Sequence, residues 1–337
     1  MGVNQDVITW TALINGYVKC GEVGVAQPLF DQMPEKNAVS WSAMITGHVQ
    51  VGLLREAPEL FNEMQVSGVR PNHAAIVGAL TACAFLGALD QGMWMHAYVD
   101  RNGMELDKLL GTALIDMYTK CGCIEMACCA FNEMKNRDVS VFTSLISGLA
   151  NRGKSARALE LFVMMQNEGV VPNEVTFICI LSACSRMGLV DEGPRIFSNM
   201  SKVYGIEPWV QHCGCLVDLL GRAGMLDDAK KLVREMPLEP DSYVLGALFN
   251  ACRMHGDVEL VNEWEGVVKV REEMEDKKVR KVPGCSLIEV DGQVCEFVAG
   301  DWCQVHMEEA MLFLLGIDNH LRFTWEDDDN DKLLTIE

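Results

Sequence analysis

Residues 114–122 read Leu-Ile-Asp-Met-Tyr-Thr-Lys-Cys-Gly, and a close copy, Leu-Ile-Asn-Gly-Tyr-Val-Lys-Cys-Gly, stands at residues 13–21. Further copies end at Gly52, Gly153 and Gly224. Each copy has apolar residues at helical spacing and ends on a glycine, which suits a left-handed helix end. A second helical pattern follows, such as Leu-Phe-Asp-Gln-Met at residues 29–33. The phrase therefore marks one unit of an internal repeat of helical hairpins.

One such hairpin cannot bury its apolar face alone, so neighbouring units must stack. The sequence predicts an all-α fold, a right-handed superhelical solenoid of helix-turn-helix repeats. We place seven repeats at residues 7–37, 38–72, 73–107, 108–138, 139–173, 174–209 and 210–241, with lengths of 31, 35, 35, 31, 35, 36 and 32 residues.

One segment imitates a nucleotide-binding loop. Residues 148–155, Gly-Leu-Ala-Asn-Arg-Gly-Lys-Ser, fit the phosphate-cradling pattern G-x-x-x-x-G-K-[ST]. However, Gly148 aligns with Gly16 and Gly47 of other repeats, and Gly153 aligns with Gly21. We therefore interpret the segment as a helix end and an inter-helix turn, and a nucleotide hydrolase is the weakest of the possible functions.

The net charge of −20 argues at first against nucleic acid. Residues 7–241 hold 19 Lys/Arg and 26 Asp/Glu, a net of −7, whereas residues 242–337 hold 9 and 21, a net of −12; Asp6 supplies the remaining charge. Because the repeats are not basic, any RNA binding there must depend on base stacking and base-edge hydrogen bonds rather than on phosphate neutralisation.

Other classes find little support. The fourteen cysteines are spread along the chain without a Cys-x-x-Cys pair, which indicates reduced, structural thiols, and we predict no metal site, cofactor or catalytic residue. No apolar run is long enough for a membrane span, and no signal or transit peptide precedes the repeats. Since the repeat pattern is already running at Val7, we expect the natural N-terminus to lie further upstream.

The repeat phrases, with their alternating lengths, resemble the PLS subclass of plant pentatricopeptide-repeat (PPR) proteins. The resemblance covers about residues 7–300. It implies that the array binds single-stranded organellar RNA, with one base read by the fifth and the last residue of each repeat. The implied pairs are Thr11/Asn37, Ser42/Asn72, Val77/Asp107, Thr112/Asp138, Thr143/Asn173, Ile178/Trp209 and Gly214/Asp241.

By the same resemblance, Thr or Ser with Asn favours adenine, and Thr with Asp favours guanine. The array would then read A, A, any base, G, A, any base, any base from 5′ to 3′. The second residue of each repeat would sandwich the bases, as at Ile8, Val39, Leu109 and Val175. A purely structural reading stands beside this one, because Asn or Asp before a helix and Thr or Ser near its start are ordinary capping residues.

The repeat pattern ends at Asp241, and the sequence after it is of a different kind. Residues 242–281 resemble a shortened E motif, residues 282–320 resemble the E+ extension, and residues 321–337 form an acidic tail. Two strand-like runs, at residues 286–290 and 293–298, flank an Asp-Gly turn and predict a small β-hairpin. A zinc deaminase needs His-x-Glu and Pro-Cys-x-x-Cys; only a chance His306-Met-Glu308 is present, so the DYW deaminase domain is lacking.

The resemblance thus implies a non-enzymatic site-recognition factor for cytidine-to-uridine RNA editing. A DYW-type deaminase protein and other editing factors would be recruited in trans through residues 242–300. Localisation would be organellar, with the mitochondrion favoured over the chloroplast. Two alternatives stay open: an RNA-binding factor for organellar splicing, transcript stability or translation, and a protein-binding helical scaffold.

Overall fold

The computed structural model describes residues 7–256 and the backbone of residues 285–290 and 293–298. Within residues 7–256 the chain forms fifteen helices. They are α1 (Val7–Lys19), α2 (Val23–Gln32), α3 (Ala38–Gln50), α4 (Glu56–Val66), α5 (His73–Leu86), α6 (Leu89–Arg101), α7 (Lys108–Lys120), α8 (Ile124–Glu133), α9 (Val139–Asn151), α10 (Ser155–Asn167), α11 (Glu174–Met187), α12 (Glu192–Tyr204), α13 (Val210–Arg222), α14 (Leu226–Glu235) and α15 (Ser242–His255).

Glycines end the odd-numbered helices and allow the chain to reverse. Gly21 has a φ of 78°, a left-handed conformation that costs glycine little because it has no Cβ. Past it, the N–H of Glu22 donates to the Tyr17 carbonyl at 2.9 Å, which satisfies a carbonyl of the last turn. The corresponding bond recurs from Lys154 to Leu149 at 2.9 Å. The same local chemistry therefore produces each hairpin.

Stacking follows the odd-numbered helices, which we call the first helices. Each packs on the first helix of the next hairpin, and each second helix packs on the first helices of its own and the following hairpin. Neighbouring second helices contact each other much less. The stack is therefore tightest along the first helices.

Gly148 shows how closely first helices approach. A Cβ on Gly148 of α9 would lie 2.3 Å from Cγ2 of Thr119 in α7, so only glycine fits there. Gly148 is inside a helix, Gly153 has a φ of 74°, and Ser155 begins α10. The interpretation of residues 148–155 as a helix end and turn is confirmed, and a nucleotide-binding loop is excluded there.

The prediction of an all-α solenoid of helical hairpins is confirmed for the array. Separately, β1 (Cys285–Val290) and β2 (Gln293–Val298) form a two-stranded sheet, as the hairpin signal predicted. The rest of the E-like and E+-like segments, His306–Glu308 and the acidic tail lie outside the described residues. The division into seven repeats stays a prediction; the structure supplies helix bounds.

Candidate nucleic-acid interface

The predicted last residue of most repeats caps the next first helix. Asn37 has extended backbone (φ −107°, ψ 170°), and its Oδ1 accepts from the backbone N–H of Val39 at 3.1 Å and of Ser40 at 2.8 Å. Side-chain caps of the same kind are made by Asn72, Asp107, Asp138, Asn173 and Asp241. The structural reading of these residues is therefore correct, and any recognition role must use the atoms that capping leaves over.

In the first two repeats the structure brings the predicted pairs together. Nδ2 of Asn37 donates to Oγ1 of Thr11 at 3.4 Å, and Nδ2 of Asn72 donates to Oγ of Ser42 at 3.4 Å. Both hydroxyls are buried and donate onward to carbonyls of their own helix. The hydroxyl thus fixes the amide orientation, with the oxygen on the cap and the nitrogen on Thr11 or Ser42. Nδ2 of Asn72 also donates to the Ala38 carbonyl at 3.3 Å, so both of its hydrogens are used.

The fifth repeat joins its pair through a third residue. Thr143 is buried, and its Oγ1 lies 2.6 Å from Oγ1 of Thr176, which in turn donates to Oδ1 of Asn173 at 2.8 Å. Asn173 Oδ1 also accepts from the backbone N–H of Thr176 at 2.9 Å. The amide oxygen is fully used, so Nδ2 is the group of Asn173 that remains for recognition.

Two carboxylates pair with a lysine or a histidine from the start of their own repeat. Asp138 Oδ2 lies 3.3 Å from Nζ of Lys108, and the hydroxyl of Thr112 donates to the Lys108 carbonyl at 2.7 Å. Asp107 Oδ2 lies 3.1 Å from Nδ1 of His73. In these repeats the surface presents a carboxylate beside a lysine or a histidine, instead of an amide held by a hydroxyl.

The sixth repeat departs from this chemistry. Trp209 precedes α13 without a side-chain cap; instead Nδ1 of His212 accepts from the Trp209 N–H at 2.9 Å, and Nε2 of His212 contacts the Glu174 carbonyl at 2.8 Å. Burial, the larger effect, lowers the pKa of His212 although both backbone contacts oppose it. His212 therefore satisfies the backbone N–H of Trp209, and no side chain takes the place of the Asn or Asp cap at the start of α13. The absence of a base preference here stays a prediction.

The second residue of every first helix is exposed. Four of these residues are large and apolar: Ile8 (75% exposed), Val39 (50%), Leu109 (60%) and Val175 (46%). Ala74, Ser140 and Gln211 continue the row, and Tyr243 occupies the same place in α15. We call these eight residues the second-residue row. Exposed apolar side chains repeated in register, beside polar pairs, form a surface suited to planar apolar ligands.

Sequence reasoning missed a row of cations at the other end of the first helices. Twelve positions after the helix start stand the exposed residues Lys19, Lys120, Arg186 and Arg222. Lys120 pairs with Asp116 at 2.9 Å and lies 4.1 Å from the Phe85 ring, and Arg222 pairs with Asp218 at 2.9 Å. Alignment of the repeats was the signal that could have found them. The carboxylates of Asp116 and Asp218 reduce the positive potential around Lys120 and Arg222.

Metal-binding side chains are not clustered in the described part of the chain. No group of three His, Cys, Asp or Glu residues there could hold a metal ion, and its cysteines are free thiols. Burial raises the pKa of Cys184 and of Cys215 to about 11, which keeps both thiols protonated. Among the same residues, no helix has the length and apolar character to cross a membrane.

The fold and this surface define a class: a helical-hairpin solenoid whose first helices carry paired polar groups and an exposed apolar row in register. Models of the PPR repeat family match residues 36–84 and 137–186, and further PPR repeat models match 1–34, 112–139, 175–203 and 212–239. The chain belongs to the pentatricopeptide-repeat family.

Relatives from Arabidopsis thaliana agree. The pentatricopeptide repeat-containing protein At5g48910 is 42% identical over 94% of this chain and 53% of its own length. At5g43790 is 37% identical over 85% of this chain and 68% of its own length. Two others, named chloroplastic (At5g59200) and mitochondrial (At2g22410), are each 39% identical over 77% of this chain, which corresponds to 53% and 42% of their own lengths. The chain thus spans about half the length of most of these relatives.

Solved structures support the fold. The maize pentatricopeptide repeat protein PPR10, crystallised in complex with an 18-nucleotide psaJ RNA element, superposes with a TM-score of 0.67 at 18% identity. The match covers 83% of this chain and 41% of the maize chain.

Proposed function

We propose that this chain binds single-stranded RNA sequence-specifically in an organelle and acts as the site-recognition module for cytidine-to-uridine editing. The observation that carries RNA recognition is the second-residue row beside the polar pairs. Exposed apolar side chains offer surfaces for unpaired bases, and the neighbouring amides and carboxylates offer hydrogen bonds to base edges. The maize relative's RNA complex supports the same class of ligand.

The atoms left over by capping explain the proposed preferences. Asn37 and Asn173 have their amide oxygens engaged, so Nδ2 is the group they offer. Nδ2 of Asn72 donates to the Ala38 carbonyl at 3.3 Å and to Oγ of Ser42 at 3.4 Å, so a base at that position has to displace one of these two bonds. A donor fits N1 of adenine, an acceptor on its Watson–Crick edge. Asp138 offers a carboxylate, which fits the N–H donors on the edge of guanine. This chemistry supports A, A, any, G, A, any, any from 5′ to 3′.

The four exposed cations at the far end of the first helices, which we call the cation row, make a small electrostatic contribution to RNA affinity in this proposal. Lys19, Lys120, Arg186 and Arg222 stand about 18 Å along the helix axis from the first residue of their helix, at 1.5 Å per residue. In this proposal they contact the RNA backbone while the bases lie toward the second-residue row. Since two of the four have carboxylate partners, base contacts dominate the affinity.

The editing role rests on the family resemblance of residues 242–300. We propose that this region recruits a DYW-type deaminase protein and other editing factors. Relatives named chloroplastic and mitochondrial support an organellar location for this chain. Sequencing of organellar transcripts from a knockout line tests the role: loss of editing at a cytidine downstream of A-A-N-G-A is expected. If editing is intact and the splicing, abundance or translation of a transcript changes instead, the alternative RNA-processing function is favoured.

RNA recognition itself is tested by filter binding of the full chain. An oligonucleotide containing A-A-U-G-A should bind at least about tenfold more tightly than a scrambled one, since each satisfied base edge contributes about 0.5–1.5 kcal/mol. Equal, weak binding of both RNAs would favour a protein-binding scaffold.

A further inference from the structure

A cavity lies between the second helices α10 and α12. Its volume is about 480 Å³, within the range of about 300–1,000 Å³ that is common for ligand sites. Phe162 of α10 and Phe177 of α11 line it; both are buried, and their ring centroids lie 5.8 Å apart in an edge-to-face arrangement. None of the lining residues belongs to the polar pairs or to the second-residue row, so the cavity is separate from the proposed RNA surface.

Helices α4 and α6 show the equivalent place filled by two aromatic rings. Each residue of α5 and α6 aligns with the residue of α11 or α12 that stands 101 positions later, as Gly87 aligns with Gly188. Trp94 and Tyr98 of α6 pack edge-on against Phe61 of α4, at ring-centroid distances of 6.2 and 6.5 Å. Two rings one helical turn apart therefore cover the phenylalanine of the preceding second helix.

In α12 the two ring positions carry polar, non-aromatic residues. Arg195 stands at the position of Trp94. Asn199 stands at the position of Tyr98. Arg195, Asn199 and Phe162, which is the counterpart of the covered phenylalanine, all line the cavity. The space that two rings occupy between α4 and α6 is therefore open between α10 and α12.

The polar groups of the cavity favour a neutral occupant. Its two charged lining residues neutralise each other, since the guanidinium of Arg195 lies 2.6 Å from Oε1 of Glu192. Gln166 Nε2 donates to the hydroxyl oxygen of Tyr204 at 2.6 Å, which leaves the hydroxyl hydrogen for a ligand. The amide of Asn199 offers a further donor and acceptor. Indole and phenol rings, which are apolar with one polar edge, suit such a lining.

We propose that the cavity between α10 and α12 docks a helical segment of a partner protein that carries two aromatic residues four positions apart. The spacing is that of Trp94 and Tyr98, whose ring centroids lie 6.2 Å apart. Two aromatic side chains bury about 150–250 Å² each, roughly half of the 800 Å² that one partner contributes to a standard interface. Val163, which lines the cavity and is 52% exposed, extends the apolar surface for the flanking contacts.

The test uses the full chain and a fluorescein-labelled peptide with the sequence of α6, residues 89–101, in which Trp94 and Tyr98 supply the rings. In fluorescence anisotropy the peptide should bind at least about tenfold more tightly than a version with alanine at both ring positions, because aromatic anchors dominate such interfaces. The double variant Arg195→Trp/Asn199→Tyr copies α6 and fills the cavity from within. It should lose at least about tenfold in peptide affinity and keep the wild-type melting temperature or exceed it.

A control variant places a ring beside the cavity instead of in it. Glu160→Trp puts the ring at the position of α10 that aligns with Trp94, and Glu160 does not line the cavity, so peptide affinity should equal that of the wild type. Filter binding of A-A-U-G-A RNA should be the same for the wild type and both variants. Equal affinity of the wild type for the two peptides would overturn the docking site, and this comparison needs no variant chain. Unchanged peptide affinity in the double variant would overturn it as well.

Discussion

Asn37 caps a helix in the structure, and in the proposed function its amide nitrogen also recognises an RNA base. Its Oδ1 caps α3 through two backbone N–H groups, and this role alone would justify an Asn before a helix. Its Nδ2 donates to Thr11 of the preceding first helix, α1, instead. A mutation can therefore separate the capping role of Oδ1 from the proposed recognition role of Nδ2.

Asn37→Ser should keep the cap and lose the amide donor. Serine and asparagine cap about equally well, so the free energy of unfolding should change by less than about 0.5 kcal/mol. Affinity for RNA with adenine at the first position should fall about two- to tenfold, the value of one hydrogen bond. Denaturant melts and filter binding measure the two effects.

Asn37→Ala is the matched comparison, because it removes the cap as well. It should cost about 1 kcal/mol of stability in addition to the loss of affinity. Unchanged RNA binding by Asn37→Ser would show that Asn37 is a capping residue and nothing more.

Some residues of the surface could be predicted from the sequence and others could not. Thr11, Asn37, Ser42 and Asn72 recur in register, so aligning the repeats indicates both members of each pair. The contact of Tyr243 with Gly214 joins a residue outside the predicted repeats to one that departs from the pattern, so no recurrence signals it. Packing between neighbouring first helices, rather than local propensity, decides such contacts.

At the scale of the element, glycine at one repeat position has different consequences in different helices. Gly16 of α1 and Gly148 of α9 occupy the same repeat position. A Cβ on Gly16 meets nothing within 4 Å, whereas a Cβ on Gly148 meets Thr119 of the preceding first helix at 2.3 Å. The pair therefore isolates first-helix stacking from helix propensity.

Gly148→Ala should destabilise the array by about 1–3 kcal/mol, because the added methyl overpacks the contact between α7 and α9. Gly16→Ala should leave stability unchanged or raise it by up to about 1 kcal/mol, since alanine favours helix. Chemical denaturation of both variants measures the difference. Equal effects of the two substitutions would contradict the close approach of first helices.

First helices that follow an Asn or Asp cap have starts that the sequence shows, whereas some second helices do not. The starts of α3, α5, α9 and α11 follow an Asn or Asp cap that the sequence displays. The second helices α4 and α12 begin at Glu56 and Glu192, further past the preceding glycine than α10 does. Pro58 and Pro194 then lie in the first turn, where proline is tolerated because its missing N–H has no intrahelical partner. The position of the preceding glycine alone therefore does not predict the first residue of α4 or α12.

At the scale of the whole molecule, the charge balance predicts how binding responds to salt. Residues 7–241 carry a net charge of −7, and the cation row offers four exposed side chains. Each phosphate neutralised on a single strand adds about −0.7 to the slope of log K against log salt, so the slope should be no steeper than about −3. Filter binding across a KCl series measures it. A slope steeper than about −5 would show that phosphate contacts dominate.

The solenoid could be predicted from the repeat alone, because hairpins with an unburied apolar face must stack. Its ligand could not be deduced in the same way, since an acidic array argues against nucleic acid until the second-residue row and the leftover amide groups are considered. The sequence does not show which side-chain atoms the helix caps engage. Only the hydrogen bonds of the structure show which atoms are left for a ligand.

A specificity switch at Asn173 tests sequence-specific RNA reading most directly. Wild type and Asn173→Asp are each titrated with RNAs ending A-A-U-G-A and A-A-U-G-G; Asn102→Asp, at the end of α6, is the matched control. Aspartate retains the cap but replaces the amide donor with an acceptor. The wild type and the control should prefer adenine, and Asn173→Asp should shift toward guanine by about two- to tenfold. The same preference in all three proteins would contradict base reading by these pairs.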